Sequence, residues 1–159
     1  MHSPVGVLTL IAGENGLRAV LWEGEHDAAS STARSDEGDP TAARVLAAAV
    51  RQLQEYFAGE RHEFDLPLDP VGTEFQRAAW MQLRRIPYGE TISYGEQARR
   101  MGDVKKSRAV GAANGRNPIS IIVPCHRVVG SNGALTGFAA GLPAKDWLLR
   151  HEQGTQTLL

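Results

Sequence analysis

One cysteine, Cys125, stands directly before His126 in the run Ile121-Ile122-Val123-Pro124-Cys125-His126-Arg127-Val128-Val129-Gly130. A thiol beside an imidazole puts a nucleophile next to a base. The reactive form of cysteine is the thiolate, which a free thiol with a pKa of about 8.5 supplies poorly at neutral pH. A histidine backed by an acid can take the proton, and the acid can be distant in sequence. Asn117 before Pro118, Tyr94 at a helix start and Glu152 near the C-terminus are further polar groups of interest. The run itself is apolar and β-branched, so it reads as a buried strand or strand-like turn. Pro124 removes a backbone donor and biases Val123 toward extended geometry. Neighbouring side chains on extended backbone face opposite ways, so a bridging water between Cys125 and His126 is expected rather than direct contact. The pair alone leaves a second reading open, because a lone cysteine in an apolar run also serves as a small core hydrophobe.

The elements that must position these groups come from a chain of 159 residues, enough for one domain or two small ones. A hydrophobic fraction of 42% suits an ordinary soluble core. No long apolar run and no charged-then-apolar leader is present, so neither a membrane span nor a signal peptide is expected. A single cysteine excludes an internal disulfide and a multi-thiolate metal site, and suits a reducing cytoplasmic setting. The net charge of -1 hides an asymmetry. Residues 1–71 hold 12 acids against 5 Lys or Arg, a net of -7, and residues 72–159 hold 6 against 12, a net of +6. A basic half that carries the unusual cysteine is compatible with an anionic partner such as nucleic acid, and equally with a solvated basic surface.

Val5–Ile11 and Leu17–Trp22 read as an antiparallel hairpin turning at Gly13-Glu14-Asn15-Gly16. Residues 23–40, acidic and rich in Ser, Asp and Gly, read as a flexible connection. Thr41 is the expected cap of a helix to about Phe57, with Val45, Ala48, Ala49, Leu53 and Phe57 on one face. Glu63–Leu66 alternates as a short third strand, and the Pro-bearing stretch to Pro70 marks a boundary between domains 1–70 and 71–159. Thr73 to Gln76 has capping-box form, opening a helix with Phe75, Ala79, Leu83 and Ile86 on its face and Pro87 as its stop. Ser93 to Glu96 opens a second helix that ends near Gly102, and Asp103 caps a third from Val104 to about Asn114. Two short helices around a Gly-containing turn form a helix-turn-helix pattern. The second helix carries Lys105, Lys106, Ser107 and Arg108 at its start, then Ala109, Gly111, Ala112 and Ala113. Its small residues suit close approach either to another helix or to a DNA groove, with the cations on phosphates. A last helix from Pro143 to about His151 is expected to put Lys145, Leu148 or Leu149, and Glu152 on one face, with Trp147 and Leu148 docking it on the core.

The run Pro124-Cys125-His126-Arg127-Val128 resembles the active-site motif of the O6-alkylguanine-DNA alkyltransferases, also called methylated-DNA–protein-cysteine methyltransferases. Ile86-Pro87-Tyr88-Gly89-Glu90-Thr91, Ser93-Tyr94-Gly95, Arg108-Ala109-Val110-Gly111, Ala113-Asn114-Gly115, Asn117-Pro118 and the loop from Leu135 to Leu142 resemble that family in the same order. The likeness is strong over about residues 72–153 and looser over the N-terminal part. It implies an α+β fold: a small ribonuclease-H-like α/β domain with an antiparallel sheet at residues 1–70, and a mainly helical domain with a helix-turn-helix at 71–159. It further implies that Cys125 attacks the alkyl carbon on O6 of guanine, or on O4 of thymine, and keeps the group. His126 would take the thiol proton through a water, Glu152 would orient His126, and Asn117 would brace the turn. Tyr94 would press on a phosphate and help protonate the leaving guanine. The Cys125 and Val128 carbonyls would read the guanine amine, the Ala139 N–H would meet O6, and Lys145 would lie near the pocket. Arg108 would enter the base stack from the minor groove, flanked by the DNA-contacting Ser107, Ala109, Gly111, Lys105 and Lys106. Extruding a base costs a few kcal/mol, which a wedge side chain partly offsets.

The resemblance implies duplex DNA with O6-alkylguanine as the partner, no cofactor, and a cytoplasmic, nucleoid-associated monomer with cooperative assembly left open. Some relatives bind zinc in the N-terminal domain, a site this chain lacks the cysteines to build. Phe138 stands where the family usually has Tyr, so any hydroxyl contact there is lost, and Ala140 stands where Gly is usual, so its extra methyl is expected to narrow the pocket against bulky O6 groups. Asp103-Val104-Lys105-Lys106 replaces a more usual Pro- and Ala-bearing turn. The alternatives are a binding-only module for alkylated DNA, an alkylation-sensing regulator, and a cysteine hydrolase. Cys125 argues against the first, the absence of an extra DNA-binding domain against the second, and the basic second half against the third.

Overall fold

The computed structural model describes residues 1–25, 39–135, 138 and 141–154. Two compact units emerge, one of residues 1–71 with 118–120, the other of residues 72–117 with 121 onward.

The first unit is built on the hairpin of β3 (Thr9–Gly13) and β4 (Gly16–Leu21), antiparallel with Thr9 opposite Leu21 and Gly13 opposite Gly16. Gly16 has φ +139, and a Cβ there would lie 2.5 Å from the Pro67 carbonyl oxygen, so the turn accepts no side chain. The expected first strand, Val5–Ile11, is interrupted. Its start forms β2 (Gly6–Val7), paired with β1 (His2–Ser3), and Leu8 breaks away because its N–H and C=O are taken by the carbonyl and ammonium of Met1. Glu63–Leu66 is not a strand. The Gln52 amide satisfies both backbone groups of Asp65, at 3.0 and 2.9 Å, leaving no ladder to form. The neighbours of β4 are isolated bridges at Leu68 and Ile119, with the Leu17 N–H on the Pro67 carbonyl and the Val20 N–H on the Pro118 carbonyl.

Helix α1 (Pro40–Phe57) has its cap two residues before the expected one. Asp39 caps it by accepting from the Thr41 N–H at 2.8 Å, and Pro40 fits the first turn, where its missing N–H costs nothing. Thr41 is thus inside the helix. Ala42, Val45, Ala49, Leu53 and Tyr56 form its buried face, with Tyr56 in the place expected for Phe57.

The second unit begins with α2 (Glu74–Leu83), closed by the reciprocal Thr73–Gln76 capping box. Its helical hydrogen bonds stop before Ile86, which is nonetheless buried. The strand β5 (Ile92–Ser93) leads into α3 (Tyr94–Arg100), capped by the Ser93 hydroxyl on the Glu96 N–H. The Glu96 carboxylate does not return to Ser93 as the capping-box pattern suggested; Arg99 and Arg100 hold it. Asp103 caps a single 3-10 turn, Val104–Lys106, and the α-helix proper is α4 (Ser107–Gly115). A buried amide pair, Gln97 with Asn114 at 2.8 and 3.1 Å, and the Trp80 indole on the Ala113 carbonyl at 2.8 Å fix α2, α3 and α4 together. The strand β6 (Val128–Val129) runs parallel to β5, and α5 (Leu142–Glu152) closes the unit with Lys145, Leu148, Leu149 and Glu152 buried. Trp147 is half-buried and stacks on His151, so Leu148 is the residue that docks this helix.

Candidate active site

Cys125 does not lie on a strand. Cys125–Arg127 form a 3-10 turn. The Cys125 N–H bonds the Val123 carbonyl, the Arg127 N–H the Pro124 carbonyl, and the Val128 N–H the Cys125 carbonyl. Pro124 cannot donate to a ladder, so the β-branched run curls and only Val128 and Val129 resume pairing. Asn117 donates through Nδ2 to the Val123 carbonyl at 2.8 Å, bracing the approach to the turn. Between them, buried Ile121 has φ +75, the only non-glycine residue at positive φ among the described residues. A β-branched residue there is strained by about 1–3 kcal/mol, which the packed surroundings must hold.

Behind the turn lies a buried set of ionisable groups. His126 and Lys145 are fully buried, Arg127 and Glu152 nearly so, and Cys125 is 8% exposed. The His126 Nε2 meets Glu152 Oε2 at 2.6 Å. Arg127 donates to both Glu152 oxygens, Nε to Oε1 at 2.7 Å and Nη2 to Oε2 at 3.1 Å, and through Nη1 to the Ile86 carbonyl at 2.7 Å. The Gly89 N–H reaches Glu152 Oε1 at 3.4 Å; Gly89 has φ +83, which lets the turn after Pro87 present that donor. His126 Nδ1 has no hydrogen-bond partner among the described residues. Burial raises the Glu152 carboxyl, but the hydrogen bonds and charges of His126 and Arg127 outweigh it and hold the group well below the ordinary carboxylate range. Burial pushes His126 down against the pull of Glu152, with the Arg127 and Lys145 charges acting in the same downward sense. Burial and the neighbouring cations both favour the neutral imidazole, and opposite an ionised Glu152 that form carries its N–H at Nε2 and a lone pair at Nδ1.

Lys145 donates to the Val128 carbonyl at 2.7 Å and lies 5.9 Å from the Tyr94 ring centroid. Burial lowers its ammonium, and the charge of Cys125 opposes that shift, so thiolate and ammonium favour each other. Gly111 faces the Tyr94 ring, and an added Cβ would meet it at 3.7 Å, an ordinary contact, so this packing would also accept an alanine. Lys105 and Lys106 are exposed on the 3-10 turn before α4 and Arg108 and Ala109 at its start, Ser107 and Gly111 are half-buried, and Lys106 Nζ lies 5.8 Å from the Phe75 ring centroid.

The structure thus brings Cys125, His126, Glu152, Lys145 and Val128 into one cluster, sets Asn117 and Tyr94 beside it, and carries Arg108 with its neighbours on a separate exposed helix start. Ala139 and Ala140 lie outside the described residues. Arg127 had no role assigned from sequence. A basic residue after His126 looks like surface charge, and only the apolar residues on both sides signalled its burial. Among the described residues, no group of three or more His, Cys, Asp or Glu side chains is placed to hold a metal.

Two family models divide the chain close to where the two units part, except that residues 118–120 of the first unit fall within the second match. Residues 1–70 match the 6-O-methylguanine DNA methyltransferase, ribonuclease-like domain, and residues 74–154 the 6-O-methylguanine DNA methyltransferase, DNA binding domain. A methylated-DNA–protein-cysteine methyltransferase of Methanosarcina acetivorans is 49% identical over 154 residues, covering 95% of this chain and 94% of the relative. The protein of the same name from Shigella flexneri is 45% identical, covering 94% and 91%. The crystal structure of Mycobacterium tuberculosis O6-methylguanine methyltransferase superposes with a TM-score of 0.82 at 46% identity, covering all of this chain and 93% of that one. A structure of the Mycobacterium tuberculosis protein in complex with DNA gives 0.83 at 43% identity, covering 98% and 91%. With the α+β fold, the helix-turn-helix unit and the family models in agreement over nearly the whole length, the chain belongs to the methylated-DNA–protein-cysteine methyltransferase family of DNA-repair alkyltransferases.

Proposed function

We propose that this protein reverses O6-alkylguanine damage, and O4-alkylthymine damage, by moving the alkyl group irreversibly onto Cys125 after flipping the base through the minor groove. The carrying observation is the His126–Glu152 pair at 2.6 Å, with His126 Nδ1 unpartnered among the described residues, on the same turn as the thiol. The Cys125 S–H proton passes through a water to His126 Nδ1, while Glu152 accepts from Nε2. The thiolate attacks the alkyl carbon, an S–C bond forms, and the C–O6 bond breaks. The electron pair leaves on guanine, which is protonated with help from Tyr94. A thioether has no easy hydrolytic exit, so each protein molecule acts once.

In this reading residues 1–70 support the fold and residues 71–159 bind DNA and carry the transfer. Asn117 braces the turn; the Cys125 and Val128 carbonyls and the Ala139 N–H read the base; Lys145 balances the thiolate. Arg108 fills the gap left by the flipped nucleotide, with Lys105, Lys106, Ser107, Ala109 and Gly111 along the backbone. The DNA complex of the Mycobacterium tuberculosis relative supports DNA as the partner. The protein acts as a monomer in the cytoplasm, on the nucleoid when bound. No helix among the described residues is long and apolar enough to cross a membrane.

Intact-mass measurement after mixing with duplex DNA containing O6-methylguanine tests this. A gain equal to one methyl in place of one hydrogen is expected, lost in Cys125→Ala. DNA binding with no mass gain would make the protein a binding-only module. Arg108→Ala should slow repair of duplex DNA and spare reaction with free O6-alkylguanine; equal loss on both would remove the wedge role.

A further inference from the structure

We infer that Arg127 is a positioning residue for the transfer: its guanidinium locks Glu152 and thereby decides which nitrogen of His126 is free to take the Cys125 proton. This rests on the reading above. Arg127 spends three separate nitrogens on two targets, both oxygens of Glu152 and the carbonyl of Ile86. A planar fork engaging both oxygens fixes the plane of the carboxylate, which a lysine ammonium cannot do. It also keeps Glu152 ionised, so Oε2 can only accept. His126 Nε2 must then donate, and a neutral imidazole has a single N–H. The proton inventory of the ring is fixed from the far side, and Nδ1 is left as the base. The Ile86 anchor matters because it ties the guanidinium to a backbone carbonyl beyond α2, so the fork is not free to follow Glu152 if that side chain shifts.

Charge adds a second effect. The charged groups acting on His126 are Glu152 and Lys145 from α5 and Arg127 from its own turn, which also carries Cys125. Tyr88, from the turn after α2, faces Arg127, its ring centroid 5.7 Å from the guanidinium carbon, and is coupled to both Arg127 and Glu152. Arg127 and Lys145 oppose protonation of the imidazole and Glu152 favours it. Removing Arg127 would leave Glu152 to pair with His126 alone. The ring would then charge more readily, and an imidazolium cannot accept the thiol proton.

The test combines single-turnover methyl transfer across a pH series with ¹⁵N NMR of His126, in the wild type, Arg127→Met and Arg127→Lys. In the wild type the NMR signals should show Nε2 protonated and Nδ1 bare at neutral pH. In Arg127→Met, His126 should titrate about one pH unit or more higher. Transfer at neutral pH should fall roughly 10- to 100-fold, the usual cost of removing a partner that orients a functional histidine. Raising the pH should restore part of the rate, and duplex binding should hold. Arg127→Lys keeps the charge without the fork. It should leave the His126 titration low, yet transfer more slowly at every pH. An unmoved acid limb and unmoved His126 titration in Arg127→Met would overturn the inference, since packing loss alone would slow transfer without moving either. If Arg127→Met fails to fold, wild-type rates in Arg127→Lys would overturn it equally. The NMR readout needs no DNA, so a wild type that gains no methyl but shows the expected ring states would sink the proposed function and leave standing only the control of the His126 ring by Arg127.

Discussion

Two clusters in the second unit are made of the same parts, a glutamate held by two basic side chains, and only their surroundings differ. Glu96 on α3 accepts from Arg99 Nε and Nη2 at 2.8 and 2.6 Å and from Arg100 Nε at 2.9 Å. Arg99 and then Arg100 pull its carboxyl down to about 2. Glu152 on α5 is held as closely by His126 and Arg127, and its carboxyl is depressed too. The Glu96 side chain is 30% exposed and its Arg99 partner 66%, whereas the side chains around Glu152 are 0–7% exposed. Water and salt can replace what Arg99 and Arg100 give Glu96, so its shifted carboxyl says little about stability. Nothing replaces Arg127 for Glu152. Burying these groups together is costly even when they are paired, and a well-packed apolar set of the same volume would often be as stable. Under the proposed reaction, what the buried cluster secures is a defined proton on a defined nitrogen.

Breaking each cluster at its glutamate should show the difference. Glu152→Gln leaves the Arg127 charge buried without its counter-ion, and the expected loss is about 3–5 kcal/mol in denaturant unfolding. Methyl transfer should slow greatly while DNA affinity stays nearly unchanged. A Gln variant as stable as the wild type would show that burial makes no difference here.

Acid titration of stability is the next largest effect. His126 has a lowered pKa in the fold, so below about 6.5 the unfolded chain binds a proton that the folded one does not. That stability is fully present above the unfolded value and declines as the pH falls, with a slope approaching about 1.4 kcal/mol per pH unit. Glu152, also depressed, adds its own loss below about 4, as the unfolded carboxyl protonates first. In His126→Gln the upper segment of the decline should flatten and the lower one remain. A wild-type curve level from pH 7 to 5 would mean that His126 is charged in the fold.

Much of this was legible because short-range chemistry decided it. The Thr73–Gln76 box, the two-residue turn at Glu14-Asn15 and the Ser93 cap are local patterns whose partners lie within four residues. The meeting of His126 with Glu152 was readable only through resemblance, since 26 residues separate them. Where propensity competed with backbone chemistry, propensity misled. The run before Cys125 has the composition of a strand, but Pro124 denies it a donor and a 3-10 turn forms. Thr41 is a good cap residue, but Asp39 followed by Pro40 is a better start and lies two residues earlier. Glu63–Leu66 alternates like a strand, yet one buried glutamine, Gln52, takes both backbone groups of Asp65 from α1. Arg127 escaped notice because a charge inside a motif carries no periodic signal. Its burial follows from the partner that α5 brings to it.

The smallest effect should come from Glu96→Gln. Its folded carboxyl is depressed, so any contribution exists above the ordinary carboxylate range and fades as the pH falls toward about 2. Solvent screening shrinks that contribution, and two long arginine side chains lose rotamer freedom in making it. Thermal unfolding of Glu96→Gln should match the wild type at high salt and differ slightly, if measurably, at low salt. Transfer rates should match throughout, because Glu96 touches neither His126 nor Arg127. The Ser93 hydroxyl still caps α3 through the Glu96 backbone N–H, which the substitution leaves in place. A loss at high salt comparable to that of Glu152→Gln would mean that arginine pairing, whatever its burial, sets the stability of this unit, and the contrast between the two glutamates would collapse.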